Sequence, residues 1–374
     1  MHLSDFDYAL PSELIAEMPL ASRDASRMML LDRGSRRRED SWIRELPERL
    51  RGDELFVVNN ARVIPVRLFG RRAGVGAESP GRSRKSPVQR EFLQSEIEVL
   101  LVRRLAEDRW EALVKPGRKV RTGERIFFGP ALEAEILSRG TFGLRELRFS
   151  SPGKIEEALE QIGHVPLPPY IRRADQPIDR ERYQTIFARQ GFAAAAPTAG
   201  LHFSADLVER LKRRGIGMAE ITLNVGLGTF QPIRTDQVEN HPIHHETYEI
   251  PEETATAIAC AKGEGRPVVA VGTTVVRALE DAAAKREGGE NIPGHEHEAG
   301  EPLLAGKAEA DLYIYPGYRF RVVDQLLTNF HLPRSSLLVM VAAFAGREFL
   351  LEAYRHAVEE RYRFYSYGDC MLIR

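Results

Sequence analysis

The sequence predicts an α/β fold with a second, all-β unit set into it, and three observations carry that expectation. Apolar strand-like runs alternate with helix starts along much of the chain: Glu54 to Val58, Met218 to Val225, and Pro267 to Val271 followed by a helix from Val275 to Arg286. Between residues 96 and 150 the pattern changes to short, closely spaced strands, Glu96 to Val102, Trp110 to Val114 and Ile126 to Phe128. They are punctuated by turn residues at Lys115-Pro116-Gly117, Arg121-Thr122-Gly123 and Arg139-Gly140, the signature of a small barrel or sandwich. Finally, 374 residues are too many for one ordinary core.

Composition narrows the function classes. The chain is 43% hydrophobic and 29% charged with a formal net charge of -1, so it is globular and no polycation. An anionic partner must therefore be held by local patches rather than by the overall field. Arg outnumbers Lys, but the arginines are interleaved with acids. Cys260 and Cys370 cannot build a Cys-based zinc site, and one isolated pair is no disulfide framework. The start, Met1 to Asp7, lacks a basic region followed by an apolar core, and Leu337 to Gly346 is far short of the roughly 20 residues that cross a bilayer. The expectation is a cytoplasmic, soluble protein without a membrane partner.

Taken in order, Arg27 to Asp32 reads as a strand, and Glu54 to Val58 runs into Asn59-Asn60-Ala61-Arg62, either a ligand-binding strand end or a turn. Gly70 to Arg90, rich in Gly, Ser, Pro and Arg, reads as a flexible surface loop. A helix from Ile155 to Ile162 precedes Pro166-Leu167-Pro168-Pro169, an extended stretch ending in Tyr170, Arg172 and Arg173. That ending suits base stacking and phosphate pairing, or a rigid linker. Tyr183 to Arg189 reads as helical, and Ser204 caps a helix over Ala205 to Arg214. Asp311 to Tyr315 reads as a strand, Ser335 or Ser336 caps a very apolar helix, Glu348 to Glu360 forms an amphipathic helix, and Tyr362 to Asp369 is a terminal strand or a base-stacking segment.

Three places carry candidate chemistry. Ala195-Ala196-Pro197-Thr198-Ala199-Gly200-Leu201-His202-Phe203 is a small-residue turn that lets another group approach the backbone, with Thr198 and His202 facing it. His241 to Ile250 places an imidazole beside a carboxylate: in a strand His244 shares a face with Glu246, and His245 with Thr247. A metal reading of the same histidines lacks the helical HExxH arrangement. Gly272-Thr273-Thr274 puts free backbone N–H groups at a helix N-terminus, a natural anion site. Gly226-Leu227-Gly228 is a weak dinucleotide signal, and His295-Glu296-His297 lies in a polar loop with no chemistry assigned.

Together these stretches resemble the S-adenosylmethionine:tRNA ribosyltransferase-isomerase family of queuosine biosynthesis. The resemblance rests on Ala196 to Phe203, His244-His245-Glu246, Gly272-Thr273-Thr274 with Arg277, Leu279 and Glu280, Thr328 to Pro333, Tyr362 to Asp369, Asn59 to Pro65, and Asp5-Phe6 through Ser26-Arg27-Met28. It runs nearly end to end, with insertions near 72–92 and 285–302. It implies a monomeric or weakly associating enzyme with a larger three-layer α/β domain, residues 1–66 and 153–374, and an inserted small β-barrel, residues 67–152. The implied reaction moves and isomerises the ribosyl part of S-adenosylmethionine onto 7-aminomethyl-7-deazaguanine at the wobble position of tRNA, releasing adenine and methionine. S-adenosylmethionine is then a consumed substrate, and no metal or redox cofactor is required. On that reading His202 and His245, with Glu246, are the acid–base candidates; Thr198, Gly200, Asn329, Gly272, Thr273 and Thr274 bind substrate; Arg172, Arg173 and Arg277 meet tRNA phosphates. Two rivals are a zinc hydrolase built on His241, His244, His245 and Glu246, and a non-catalytic RNA-binding protein.

Overall fold

The computed structural model describes residues 1–72, 96–130, 132–140, 143–151, 153–226, 233, 235–243, 245–287 and 302–374. Most of the Gly- and Arg-rich loop, the GxG beyond Gly226, His244 and His295-Glu296-His297 lie outside the described residues. The chain divides into two compact units, one of residues 1–63, 168–174 and 181–374, the other of 64–167 and 175–180.

The larger unit is built on a nine-stranded sheet. From edge to edge its strands are Gly306–Ala310, Glu246–Ile250, Gly217–Leu223, Leu55–Asn59, Val268–Val271, Gln325–Asn329, Cys370–Ile373, Arg27–Asp32 and Arg37–Trp42. The four from Gly217–Leu223 to Gln325–Asn329 are parallel to one another. Strands such as Leu55–Asn59 and Val268–Val271 are buried at every position, which is why they read as continuous apolar runs. Alternate residues face opposite ways. Met29, Leu31, Leu55, Val57, Ala270 and Leu326 pack under the helices Glu252–Gly263, Thr273–Glu287, Ser336–Ala345 and Arg347–Glu359. Met28, Leu30, Phe56, Val58, Val269 and Leu327 meet Leu207 and Leu211 of the helix Ala205–Arg213 on the other face. The result is a three-layer arrangement, helix–sheet–helix.

The smaller unit is a closed six-stranded barrel in the order Leu144–Ser150, Arg109–Lys115, Glu96–Arg104, Arg67–Arg72, Arg125–Phe127 and Glu133–Arg139. Its interior is filled by alternating residues including Ile97, Val99, Leu101, Trp110, Ala112 and Leu147. At Gly70 a Cβ would lie 2.7–2.8 Å from Phe128, Ile126 and the Phe127 carbonyl, so only glycine lets these two strands approach.

Several elements differ from the sequence expectation, each for a local reason. The barrel unit continues to Leu167 and takes the helix Ile155–Ile162, because Arg67 and His164 exchange backbone hydrogen bonds of 3.2 and 2.8 Å. The helix expected over Tyr183 to Arg189 lies at Pro177–Arg182 instead. Gln184 leaves it to bond the backbone of Val63 through both ends of its amide, at 3.0 and 2.9 Å. Asp311 to Tyr315 forms no strand: the N–H groups of Asp311 and Leu312 donate to the Asp281 carboxylate, both at 3.0 Å, while the ladder runs through Gly306–Ala310. Tyr362 to Asp369 is likewise turn-rich, and the closing strand is Cys370–Ile373.

Candidate functional site

In an open parallel sheet the loops at the carboxyl ends of the strands gather at one edge, and ligands bind there. In this sheet those ends are Asn59, Leu223, Val271 and Asn329. A cleft of about 650 Å³ opens there, lined by Val225, Gly272 to Thr274, Thr328 to Leu332, the small-residue turn Ala195 to Ala199, Tyr170, Ser335, Leu337, Tyr365 and Ser366. A second cleft of about 510 Å³ shares Thr273, Thr274 and Leu337 with it and adds His241, Ile243, Glu246, Arg277, Tyr313, Ser336 and Met340.

The walls are built from local sequence logic. Gly272 has φ +97°, which lets the chain turn from the strand Val268–Val271 directly into the helix Thr273–Glu287. The first N–H groups of that helix thus face the cleft, an electropositive corner. Tyr170 and Tyr365 stack with ring centres 4.4 Å apart, and the Tyr170 hydroxyl lies 2.6 Å from Ser366 Oγ. Tyr365 is itself strained, at φ +72°. Asn329 donates from Nδ2 to the Tyr365 carbonyl at 2.9 Å, leaving Oδ1 buried without a hydrogen-bond partner. Thr274 Oγ1, Tyr365 Oη and, in the second cleft, Tyr313 Oη share that condition. Buried polar atoms are usually paired, so these groups have hydrogen-bonding capacity to spare beside the adjoining clefts.

Of the residues singled out from sequence, Thr198, Asn329, Gly272, Thr273 and Thr274 meet in the larger cleft. Glu246 and Arg277 meet in the second one, as a buried ion pair of 2.8 Å. Arg277 also donates to the Ala310 carbonyl at 2.7 Å, so it is an interior group and not the surface phosphate contact expected of it. Gly200 is set back: a Cβ there would lie 2.9 Å from Thr185, so it serves packing of the turn Thr198–His202. His245 points away from Glu246, as strand alternation dictates; its side chain is 61% exposed, 3.9 Å from Glu309. That geometry separates it from Glu246 and from the residues lining the two clefts. His241 meets Tyr313 edge-on at 5.7 Å, so His241 and His245 do not converge, and among the described residues no cluster of His, Cys, Asp and Glu could hold a metal ion. Arg172 is exposed and Arg173 half-buried, the latter donating to the Glu17 carbonyl at 3.0 Å.

His202 is buried and lines a small third cleft of about 270 Å³, which shares Ser366 with the large one. Burial pushes its imidazole down to about 4; Asn329 pulls the other way, and Arg23 and Arg363 add to the fall. Sequence reasoning missed His331. It lines the large cleft, burial pushes it down to about 3, and its Nε2 lies 2.9 Å from Thr328 Oγ1. Its place directly after the strand Gln325–Asn329 was the available signal.

A mixed α/β protein with a cleft at the carboxyl ends of its parallel strands has the architecture in which small-molecule-binding enzymes place their sites. This chain belongs to the queuosine biosynthesis protein family, whose sequence model matches residues 3–373. It is 52% identical over 375 residues, covering 100% of both chains, to an S-adenosylmethionine:tRNA ribosyltransferase-isomerase of Solibacter usitatus. It is 48% identical, at the same coverage, to one of Syntrophotalea carbinolica. The crystal structure of an S-adenosylmethionine tRNA ribosyltransferase from Thermotoga maritima is similar over 99% of this chain and 100% of its own, with 37% identity and a TM-score of 0.51.

Proposed function

We propose that this chain transfers and isomerises the ribosyl moiety of S-adenosylmethionine onto 7-aminomethyl-7-deazaguanine at the wobble position of tRNA, giving epoxyqueuosine-tRNA with release of adenine and methionine. The observation that carries the reading is the large cleft: parts of four motifs that resemble the family, Ala196 to Ala199, Gly272 to Thr274, Thr328 to Leu332 and Tyr365-Ser366, line one cavity at the sheet edge. End-to-end identity of 52% with a relative so named supports it.

The reaction makes four demands. The sulfonium acidifies its 5′ carbon, so a base must lie near it. Adenine leaves more readily when a ring nitrogen is protonated. The tRNA amine must arrive uncharged, and water must be kept from strained intermediates. In this reading the helix start at Gly272-Thr273-Thr274 holds the methionine carboxylate, and Thr198, Asn329 and the Tyr170–Tyr365 stack hold the nucleoside. His331, uncharged at neutral pH and facing the large cleft, joins His202 as a proton-transfer group. Glu246, already paired with Arg277, fixes the wall of the second cleft and does not serve as a free base. These steps are proton transfers and displacements, with S-adenosylmethionine as substrate and without a resident metal. The protein is read as cytoplasmic, a monomer or weak dimer; among the described residues no helix is long and apolar enough to cross a membrane.

The test is to incubate the protein with S-adenosylmethionine and tRNA carrying 7-aminomethyl-7-deazaguanine. Equimolar adenine and methionine, matched by a mass gain on the RNA and unaffected by a chelator, are expected. Absence of adenine above the protein-free blank refutes the activity, and loss of turnover with chelator refutes its independence of metal.

A further inference from the structure

We propose that the small cleft beside His202 seats one phosphodiester of the RNA backbone, held by Arg23 and Arg182; this rests on the reading of the chain as a tRNA-modifying enzyme. The cleft is a small notch open to solvent, suited to an exposed group on a chain rather than to a whole enclosed small molecule. Arg23, Arg182, His202, Ser22 and Ser366 line it. Both guanidiniums are anchored by backbone carbonyls alone: Arg23 donates to Leu201 at 3.3 Å and Glu181 at 2.9 Å, and Arg182 donates to Ala21 at 3.1 Å. Among the described residues neither makes a salt bridge. They stand close enough that, after burial, Arg182 is the chief influence depressing the Arg23 pKa, opposed by Glu181. Two partly buried arginine forks facing one cavity repel each other until an oxyanion bridges them, and the planar fork matches phosphate geometry.

The surroundings continue the same pattern. The strap from Glu17 to Arg23 is laced by arginines from separate segments: Arg173 bonds the Glu17 carbonyl at 3.0 Å, Arg363 that of Met18, and Arg182 that of Ala21. The carboxylates at its ends are engaged, Asp24 by Ser22 and by Ser204 at 2.8 Å, and Glu17 by the Arg172 N–H at 3.4 Å. Because Ser366 lines both this cleft and the large one, a nucleobase entering the large cleft carries its own phosphate towards the small one.

The same forks could accept the carboxylate of S-adenosylmethionine, and the experiment separates the two sources. Binding of an anticodon stem–loop is measured against salt for the wild type, R23Q, R182Q and R182K, with S-adenosylmethionine binding measured by calorimetry on each. Each Gln variant is expected to bind the stem–loop on the order of tenfold more weakly, with a log–log salt slope shallower by about one. R182K keeps the slope, and S-adenosylmethionine affinity stays unchanged throughout. A methylphosphonate walked along the stem–loop should cost the wild type affinity at one position and cost R182Q nothing there; being read on intact protein, this arm decides even if R23Q folds poorly. Wild-type binding with indifferent variants, or a loss of S-adenosylmethionine affinity with RNA binding intact, overturns the phosphate seat alone. A wild type that binds no stem–loop overturns the tRNA reading and the seat together.

Discussion

His202 and His331 are both stripped of water by the fold, and burial leaves them with pKa values of about 4 and about 3 against about 6.5 in an unfolded chain. Between those values the unfolded chain binds more protons than the native one, so stability falls as pH drops through that window and is flat above it. Each histidine should cost about 2 kcal/mol at pH 5 relative to pH 8. Urea unfolding at the two pH values checks this: H202Q and H331Q should each flatten the dependence by about half, and an unchanged slope would mean the rings are not buried neutral. The Glu246–Arg277 pair behaves differently, since neither partner can leave without stranding the other in the interior. E246A also removes the acceptor of the Gly226 N–H at 2.9 Å, and should destabilise by about 3–5 kcal/mol. E246L/R277M should lose less than the sum of the single changes; an additive double-mutant cycle would contradict the pairing.

Among the elements, the turn from Val268–Val271 into Thr273–Glu287 is the most exacting. A Cβ at Gly272 would find room, at 3.6 Å from Ala199 and Thr274, so the penalty for G272A comes from its φ of +97°. That strain is about 1–3 kcal/mol, and relaxing it tilts the helix start away from the cleft. Calorimetry should show weaker S-adenosylmethionine binding together with the stability loss; stability loss with intact binding would remove the helix N-terminus from the site. How far such elements could be read from sequence depended on how local their causes are. The Ser335 cap, whose Oγ accepts from Leu338 N–H at 3.2 Å, is written in adjacent residues and was legible. The edge strand Arg37–Trp42, exposed at all but one position, carries no apolar pattern and was silent. Gly306–Ala310 pairs because Glu246–Ile250 presents an open edge, and Asp311 leaves the ladder because Asp281 on a distant helix takes its N–H; neither partner can be found by inspecting the segment itself. At the site the motif residues were legible and their orientation was not: His245 and Glu246 are neighbours in sequence, yet one faces Glu309 and the other Arg277.

For the molecule as a whole, a formal charge of -1 and a pI near 6.8 mean that no general field draws RNA towards it. The proposed attraction comes from a few arginines, Arg23 and Arg182 at the small cleft and Arg172 and Arg173 against Glu17. With Arg23 and Arg182 sharing one phosphate, three phosphate contacts give a log–log salt slope of about −2 for a single-stranded loop and nearer −3 for a duplex stem. A polycationic binder would instead show a slope near −10. Titrating an anticodon stem–loop between low and physiological salt should therefore give the shallow value, with S-adenosylmethionine binding insensitive to salt if, as proposed, its contacts lie inside the cleft. A slope twice as steep would require further cations, and the Arg-rich stretch between Gly70 and Arg90 is tested by repeating the titration with Arg82, Arg84 and Lys85 replaced by Gln. The same charge balance predicts that non-cognate RNA binds only weakly at physiological salt; under the proposed function, discrimination rests on whether the wobble base fills the large cleft rather than on long-range attraction.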